Sequence, residues 1–259
     1  MPFGQWLLLT VPALWLGIGI VGTAVVVSVA GLLVVRHLVP HHRLKVHNDV
    51  AGPIFSTLGV VYAVLLAFVV IIVWESFDKT ILNVEYEASY LADVYRDTEA
   101  LAPEFVDEAH ARIREYRDLV VNEEWGMLAK GKGSPLVEAK IREIWSLFKH
   151  YSPRTTTEQM FFEESIRKLD SVRELRCIRL MDARTGIHSL LWFVLIVGGL
   201  VTISFTYFFG TENKNAQIIM AVLLTVTIAL LLFTIFCLDY PFTGGITVSS
   251  DPFKQLIFD

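Results

Sequence analysis

The stretch HNDVAGPIFSTLGVVYAVLLAFVVIIVWESFDKTILNVEYEASYLADVYRDTEA, residues 47–100, decides how the rest of the chain is read. From Pro53 to Trp74 it carries no charged residue. At a rise of about 1.5 Å per residue that run is long enough to cross a hydrocarbon layer of about 30 Å. Charges begin at Glu75, yet no glycine or proline follows until Pro103. The economical reading is one helix that crosses a membrane and continues into water. Gly52-Pro53 reads as its start, because a proline in the first turn gives up only an N–H that has no partner there.

Three other uncharged windows, 12–35, 187–209 and 217–238, also exceed the ~18 residues that mark a transmembrane helix. The expected fold is therefore an all-α membrane protein with four transmembrane helices and a helical soluble domain inserted between helices 2 and 3. Residues 1–74 hold the first two spans, 75–185 the soluble domain, 186–238 the last two spans and 239–259 a tail. The composition agrees: 54% of the 259 residues are hydrophobic and the mean hydropathy is +0.52, too apolar for an ordinary soluble chain. Glu75 to Arg184 holds 22 of the 27 acidic and 17 of the 22 basic residues, so the net charge of −5 resides there. No basic field is left for nucleic acid, and that class is excluded. Met1 to Val11 lacks Lys and Arg, which speaks for a first span rather than a signal peptide. Cys177 and Cys237 give neither a disulfide framework nor a metal-ligand spacing.

Within the charged segment, Leu82, Tyr86, Tyr90 and Val94 recur at four-residue steps, with Ile81, Ala88, Leu91 and Tyr95 beside them. This predicts a wide apolar helix stripe with Glu85, Glu87, Asp93 and Asp97 polar around it. A second helix is expected from Val106 to about Lys130, a third around Val137 to Phe148, and a fourth opened by a capping box, Thr155 with Glu158. Arg173, Arg176, Arg179 and Arg184 are expected to pair with Glu85, Asp93 and Asp97, lipid head groups being the alternative.

The spans themselves carry almost nothing titratable. The relays of proton-coupled transport are therefore missing, and a path through these helices would be apolar and gate by dewetting; a plain anchor is the alternative. In the first span Gly17, Gly19, Gly22, Ser28 and Gly31 suit close helix contact, and in the second Gly59, Ala63 and Ala67 form a packing stripe. Leu65, Phe68 and Ile72 lie largely away from that stripe and are the candidates for a pore constriction. His47, Asn48 and Asp49 before the span, and Glu75 and Asp78 after it, are candidates for a pore mouth or vestibule, with helix capping and solvation as the plainer roles. His37, His41, His42 and His47 crowd the first loop, but Pro40 breaks the helical spacing of the first pair; they are read as interfacial polar residues rather than a metal site. No Ser-His-Asp order, phosphate loop or HExxH is present, so neither an enzyme nor a cofactor is expected.

The segment HNDVAGPIFSTLGVVYAVLLAFVVIIVWESFD, the EA of 87–88, DVYR of 93–96, EW of 124–125, R-x-x-R of 176–179 and DYPFTG of 239–244 together resemble the bestrophin-like membrane protein family. That family is similar in turn to the bestrophins, which are oligomeric ion channels. The resemblance implies a channel whose second helix from each subunit lines a common pore and continues into a helical domain. It equates Pro241, Phe242 and Gly244 with the Pro-Phe-Gly motif after the fourth bestrophin helix. It also implies a homo-oligomer, five copies following from the resemblance and four remaining open, with the lipid bilayer and inorganic ions as the other partners. The acidic run that clasps calcium in gated bestrophins has only Asp251 in its place, so calcium activation is not implied. Bestrophin likeness places the helical domain in the cytoplasm of a multi-pass protein of the cell membrane, whereas Arg36, Arg43 and Lys45 in the first loop argue for the reverse. The contrasting function is a non-conducting sensor or scaffold whose helical domain binds a partner.

Overall fold

The computed structural model describes residues 3–39, 44–45 and 47–258, and every regular element among them is helical. In chain order these include α1 (Phe3–Thr10), α2 (Ala13–Leu38), α3 (Asn48–Thr98), α4 (Pro103–Leu119), a π-helical turn (Val120–Glu124), α5 (Trp125–Leu128), α6 (Pro135–His150), α7 (Thr156–Asp182), α8 (Ser189–Phe205), a 3-10 turn (Thr206–Phe208), α9 (Lys214–Leu238) and α10 (Asp251–Lys254). α2, α3, α8 with its 3-10 turn, and α9 are long and apolar enough to cross a membrane. α3 starts at Asn48 rather than at Pro53. Val50 and Ala51 donate to the carbonyl of His47, so the first turn is already closed and Pro53 costs only one later hydrogen bond.

The chain divides into two compact units: one of Met1–Leu9, Ser76–Gly186 and Tyr240–Asp259, the other of Thr10–Glu75 and Ile187–Asp239. The first half of α3 belongs to the second unit and the remainder to the first.

In the helical unit the core side of α3 is Val84, Ala88, Leu91, Val94 and Tyr95, packed with Ile113 and Tyr116 of α4, Ile141 and Ile144 of α6, and Leu169 and Val172 of α7. The expected stripe is thus displaced: Leu82 and Tyr86 are exposed. A four-residue step drifts about 40° per repeat on a 3.6-residue helix, and the true face alternates steps of three and four. Thr155 caps α7 by accepting from the Glu158 N–H at 3.1 Å, while the Glu158 carboxylate reaches back to the Arg154 N–H at 2.7 Å. The tail is part of this core. Phe242, Val248 and Phe253 are buried in it, and Val248 donates to Pro241 to close the turn. Gly244 sits at φ +98°, with Leu8 so near that a Cβ would stand 3.3 Å from it. Gln5 of α1, buried, donates to the Ala183 carbonyl and to Thr243, both at 3.3 Å.

In the apolar unit, small residues meet large ones. A Cβ on Gly17 would stand 2.9 Å from Phe233, and one on Gly31 3.0 Å from Tyr207, whereas Gly19 and Gly22 face open space. Thr225 donates to Ser28 at 2.9 Å between α9 and α2. Asp239, just beyond α9, accepts from the Ile187 N–H at 2.6 Å and from the Trp192 indole at 3.1 Å. Burial pushes this carboxyl up, and those two donors oppose it.

Candidate functional site

The membrane half of α3 has two distinct sides. Tyr62, Leu66, Val69 and Val73, at steps of four, three and four, are buried. The Tyr62 hydroxyl donates to the Leu195 carbonyl of α8 at 2.9 Å, and its side chain rests on Gly198 and Gly199, where an added Cβ would lie 2.7 Å from the ring and 2.8 Å from the hydroxyl. The opposite side is bare. Val64, Phe68 and Ile71 are exposed, Phe68 by 62%. Glu75, Asp78 and Leu82 continue the same line at steps of four, three and four, all exposed. One line on one helix thus passes from bulky apolar to acidic side chains.

Of the residues singled out in the sequence, Phe68 and Ile72 stand on the open side and Leu65 is half-buried at its margin. Ala63 and Ala67 are exposed. With Gly59 they line an apolar groove of about 510 Å³ that also includes Thr202, Leu224 and Ile228. Contact within the chain uses the Tyr62 row instead, since an aromatic wedge on paired glycines brings two helices close without small residues on both. His47 and Asp49 are exposed. Asn48 is occupied structurally, donating to the Gly210 carbonyl at 2.9 Å and accepting from the Gly210 N–H at 3.0 Å. His41 and His42 lie outside the described residues; His37 is exposed at the end of α2. Among the described residues no group of three His, Cys, Asp or Glu side chains is arranged to hold a metal.

The soluble half of α3 carries a feature the sequence reading misplaced. Arg179 donates to both oxygens of Glu87, at 2.7 and 3.0 Å, and to Glu124 at 3.0 Å. Arg176 holds Glu124 in a two-pronged pair at 2.7 and 3.1 Å and reaches Glu138 at 2.5 Å. Glu87, Glu124 and Arg179 are wholly buried, and Arg176 nearly so. The partner is therefore Glu87 and not Glu85, because Glu87 falls in phase with Val84, Leu91 and Val94. Asp93 is instead bound by Arg96 and Lys168, Arg173 by Asp170, and Arg184 donates to the Gly131 carbonyl. The π-helical turn brings Glu124 and Trp125 round together, an extra residue shifting both out of α4's phase. The Trp125 ring lies 5.2 Å from the Arg179 guanidinium and Phe253 lies 5.8 Å from it. These faces cover the cation, whose Nη1 has no hydrogen-bond acceptor among the described residues.

Burial works against charge on Glu124, but Arg176, Arg179 and the Ser134 N–H outweigh it and hold the carboxyl below its ordinary value. A carboxyl lowered by folding contributes stability that is complete above its unfolded value, about 4.3, and is lost as pH falls through the folded value. Melting followed by tryptophan fluorescence should accordingly be flat from pH 7 to about 5 and fall steeply below about 4.

The folded units define the class first: an all-α, multi-pass membrane protein with a helical unit fed by its second span. The bestrophin-like domain model matches residues 22–253, and the chain belongs to that family. Solved structures share the fold. A point mutant of a bacterial bestrophin homologue from Klebsiella pneumoniae superposes with a TM-score of 0.70 at 12% identity, covering 90% of this chain and 96% of the other. A second structure of that homologue gives 0.66 at 12% identity, over 89% and 93% of the two chains. A mutated membrane protein of unstated source gives 0.67 at 11%, over 90% and 94%. None of the curated proteins compared matches the sequence.

Proposed function

We propose that the protein is a homo-oligomeric ion channel in which α3 of each subunit lines a central pore. The observation that carries this reading is the exposed line Val64, Phe68, Ile71, Glu75, Asp78 and Leu82 on α3. A ring of such lines makes an apolar constriction followed by an acidic vestibule, the arrangement by which pores gate through dewetting and filter by charge. Phe68 and Ile72 form the constriction with Leu65 at its shoulder, and Gly59, Ala63 and Ala67 receive the neighbouring subunit. Glu75 and Asp78 favour cations, and His47 and Asp49 stand at the mouth. The fold supports the reading, since the solved structures that share it include a bacterial bestrophin homologue.

Purified protein in planar bilayers is expected to pass ions. Phe68→Ala should raise open probability or conductance several-fold, and the pair Glu75→Gln with Asp78→Asn should shift the reversal potential in a salt gradient away from cation preference. Silent bilayers with a monodisperse oligomer would favour a non-conducting scaffold.

On this reading the helical unit lies in the cytoplasm, as the bestrophin likeness implies and the first-loop charges oppose. Cys177 is exposed in that unit and Cys237 is buried, so a membrane-impermeant maleimide reads the orientation without mutation. Intact cells should leave the protein unlabelled and permeabilised cells should label Cys177; equal labelling would place the unit outside.

A further inference from the structure

At the end of the apolar unit where α3 begins lies a cavity of about 520 Å³, lined chiefly by apolar groups, among them Phe55, Phe209, Met220 and Leu224. Its size is that of an ordinary ligand pocket. Phe55 is braced by Phe205, stacked at 5.6 Å, and by Phe209, edge-on at 5.5 Å. The rim is polar, and Arg36 is bonded to it. Arg36, on the last turn of α2, donates from Nη1 to Gln217 at 2.7 Å and from Nη2 to the Thr211 carbonyl at 3.3 Å, and both acceptors belong to residues that line the pocket. Gln217 is itself held by donating to the carbonyls of Phe209 at 2.9 Å and Thr206 at 3.4 Å.

Two neutral oxygens thus fix the guanidinium in place, and no carboxylate among the described residues pairs with it. The acid nearest in sequence to these acceptors, Glu212, is bonded to Lys45 at 2.8 Å. A guanidinium offers five donors in a rigid fork suited to a phosphate, and two of them are spent. An arginine at the end of a membrane span, with no carboxylate partner among the described residues and an apolar slot beside it, has the chemistry of a site for an anionic amphiphile.

We propose that this pocket holds an acyl chain of an anionic phospholipid, whose phosphate is received by Arg36. The proposal is independent of conduction, because its readout is lipid retention.

The test uses the full-length oligomer in detergent, titrated with phosphatidylglycerol or phosphatidylcholine of identical chains and read by native mass spectrometry. Phosphatidylglycerol should be retained about fivefold better, the preference one interfacial cation supplies. Arg36→Gln should abolish the preference. Lys45→Gln, which alters the neighbouring cation that already has Glu212, should leave it intact. Met220→Trp, at an exposed position lining the cavity, should lower retention of both lipids by filling the slot, and it tests the site even where Arg36→Gln folds poorly. Millimolar inorganic phosphate should not displace the lipid. Equal retention of the two lipids, a preference that survives Arg36→Gln or disappears with Lys45→Gln, full retention by Met220→Trp, or displacement by free phosphate would each overturn the proposal.

Discussion

Arg179→Ala is expected to destabilise the helical unit by about 3–5 kcal/mol, the usual consequence of leaving a buried carboxylate without its counter-charge. Among the described residues Glu87 would keep only the Tyr116 hydroxyl at 3.3 Å. Glu124 would still have Arg176. The loss therefore falls chiefly on Glu87. Removing both charges, Arg179→Met with Glu87→Met, deletes the orphan together with the pair, and replacement of a buried ion pair by apolar groups is often close to neutral. The double variant should recover most of the loss. Arg179→Lys should fall between, because a single ammonium cannot bridge two carboxylates as the guanidinium fork does. Thermal unfolding of the detergent-solubilised protein measures all three. A double variant no more stable than Arg179→Ala would show that the shape of Arg179 against Trp125 and Phe253, rather than its charge, holds this core.

The second large effect is expected in the apolar unit. Gly198→Val places a branched side chain where even a Cβ would lie 2.7 Å from the Tyr62 ring. The ring has little freedom to retreat, since its hydroxyl is tied to Leu195 on the same helix as the glycine. Overpacking of this kind costs about 1–3 kcal/mol or more, and the variant should be recovered as aggregate on size exclusion. Adding Tyr62→Ala restores room and should partly restore a monodisperse peak, with the two changes non-additive. Gly22→Val, at a position with nothing within 4 Å, serves as the tolerated control. Equal damage from both glycine variants would remove the Tyr62 seat as the explanation.

These residues also show what could be read from the chain. The four spans and the continuation of the second into water follow from runs of uncharged residues and from the absence of glycine and proline between Glu75 and Ala102. Both are local properties. What partners what is not local. Glu87 looks like one more acid on a polar helix face until the register of α3 is known, and a stripe read in steps of four rather than alternating three and four puts Leu82 and Tyr86 on the wrong side. The signal for the charge network was nevertheless present. The family fragments at Glu87, Glu124-Trp125 and Arg176 to Arg179 are far apart in sequence and meet at one place in the fold, and Trp125 lies edge-on to Phe242 of the tail fragment, their centroids 5.7 Å apart. The π-helical turn that allows this has no recognisable sequence mark. In the second span, no pattern distinguishes a stripe that packs within the subunit from one that stays open, because Tyr62 finds Gly198-Gly199 only once α8 is in place.

The tail has a consequence for the order of biogenesis. Phe242, Val248 and Phe253 fill the same core as Val84 and Leu91, so more than half the chain separates partners that must meet. A ribosome that has finished α7 has delivered every helix of that core except its closing piece. Two further spans must be synthesised and inserted before Phe242 emerges, and until then an apolar surface waits unsealed, the condition in which nascent domains recruit chaperones or aggregate. Completion of the helical unit thereby certifies that α8 and α9 have already been made, a form of quality control written into the connectivity.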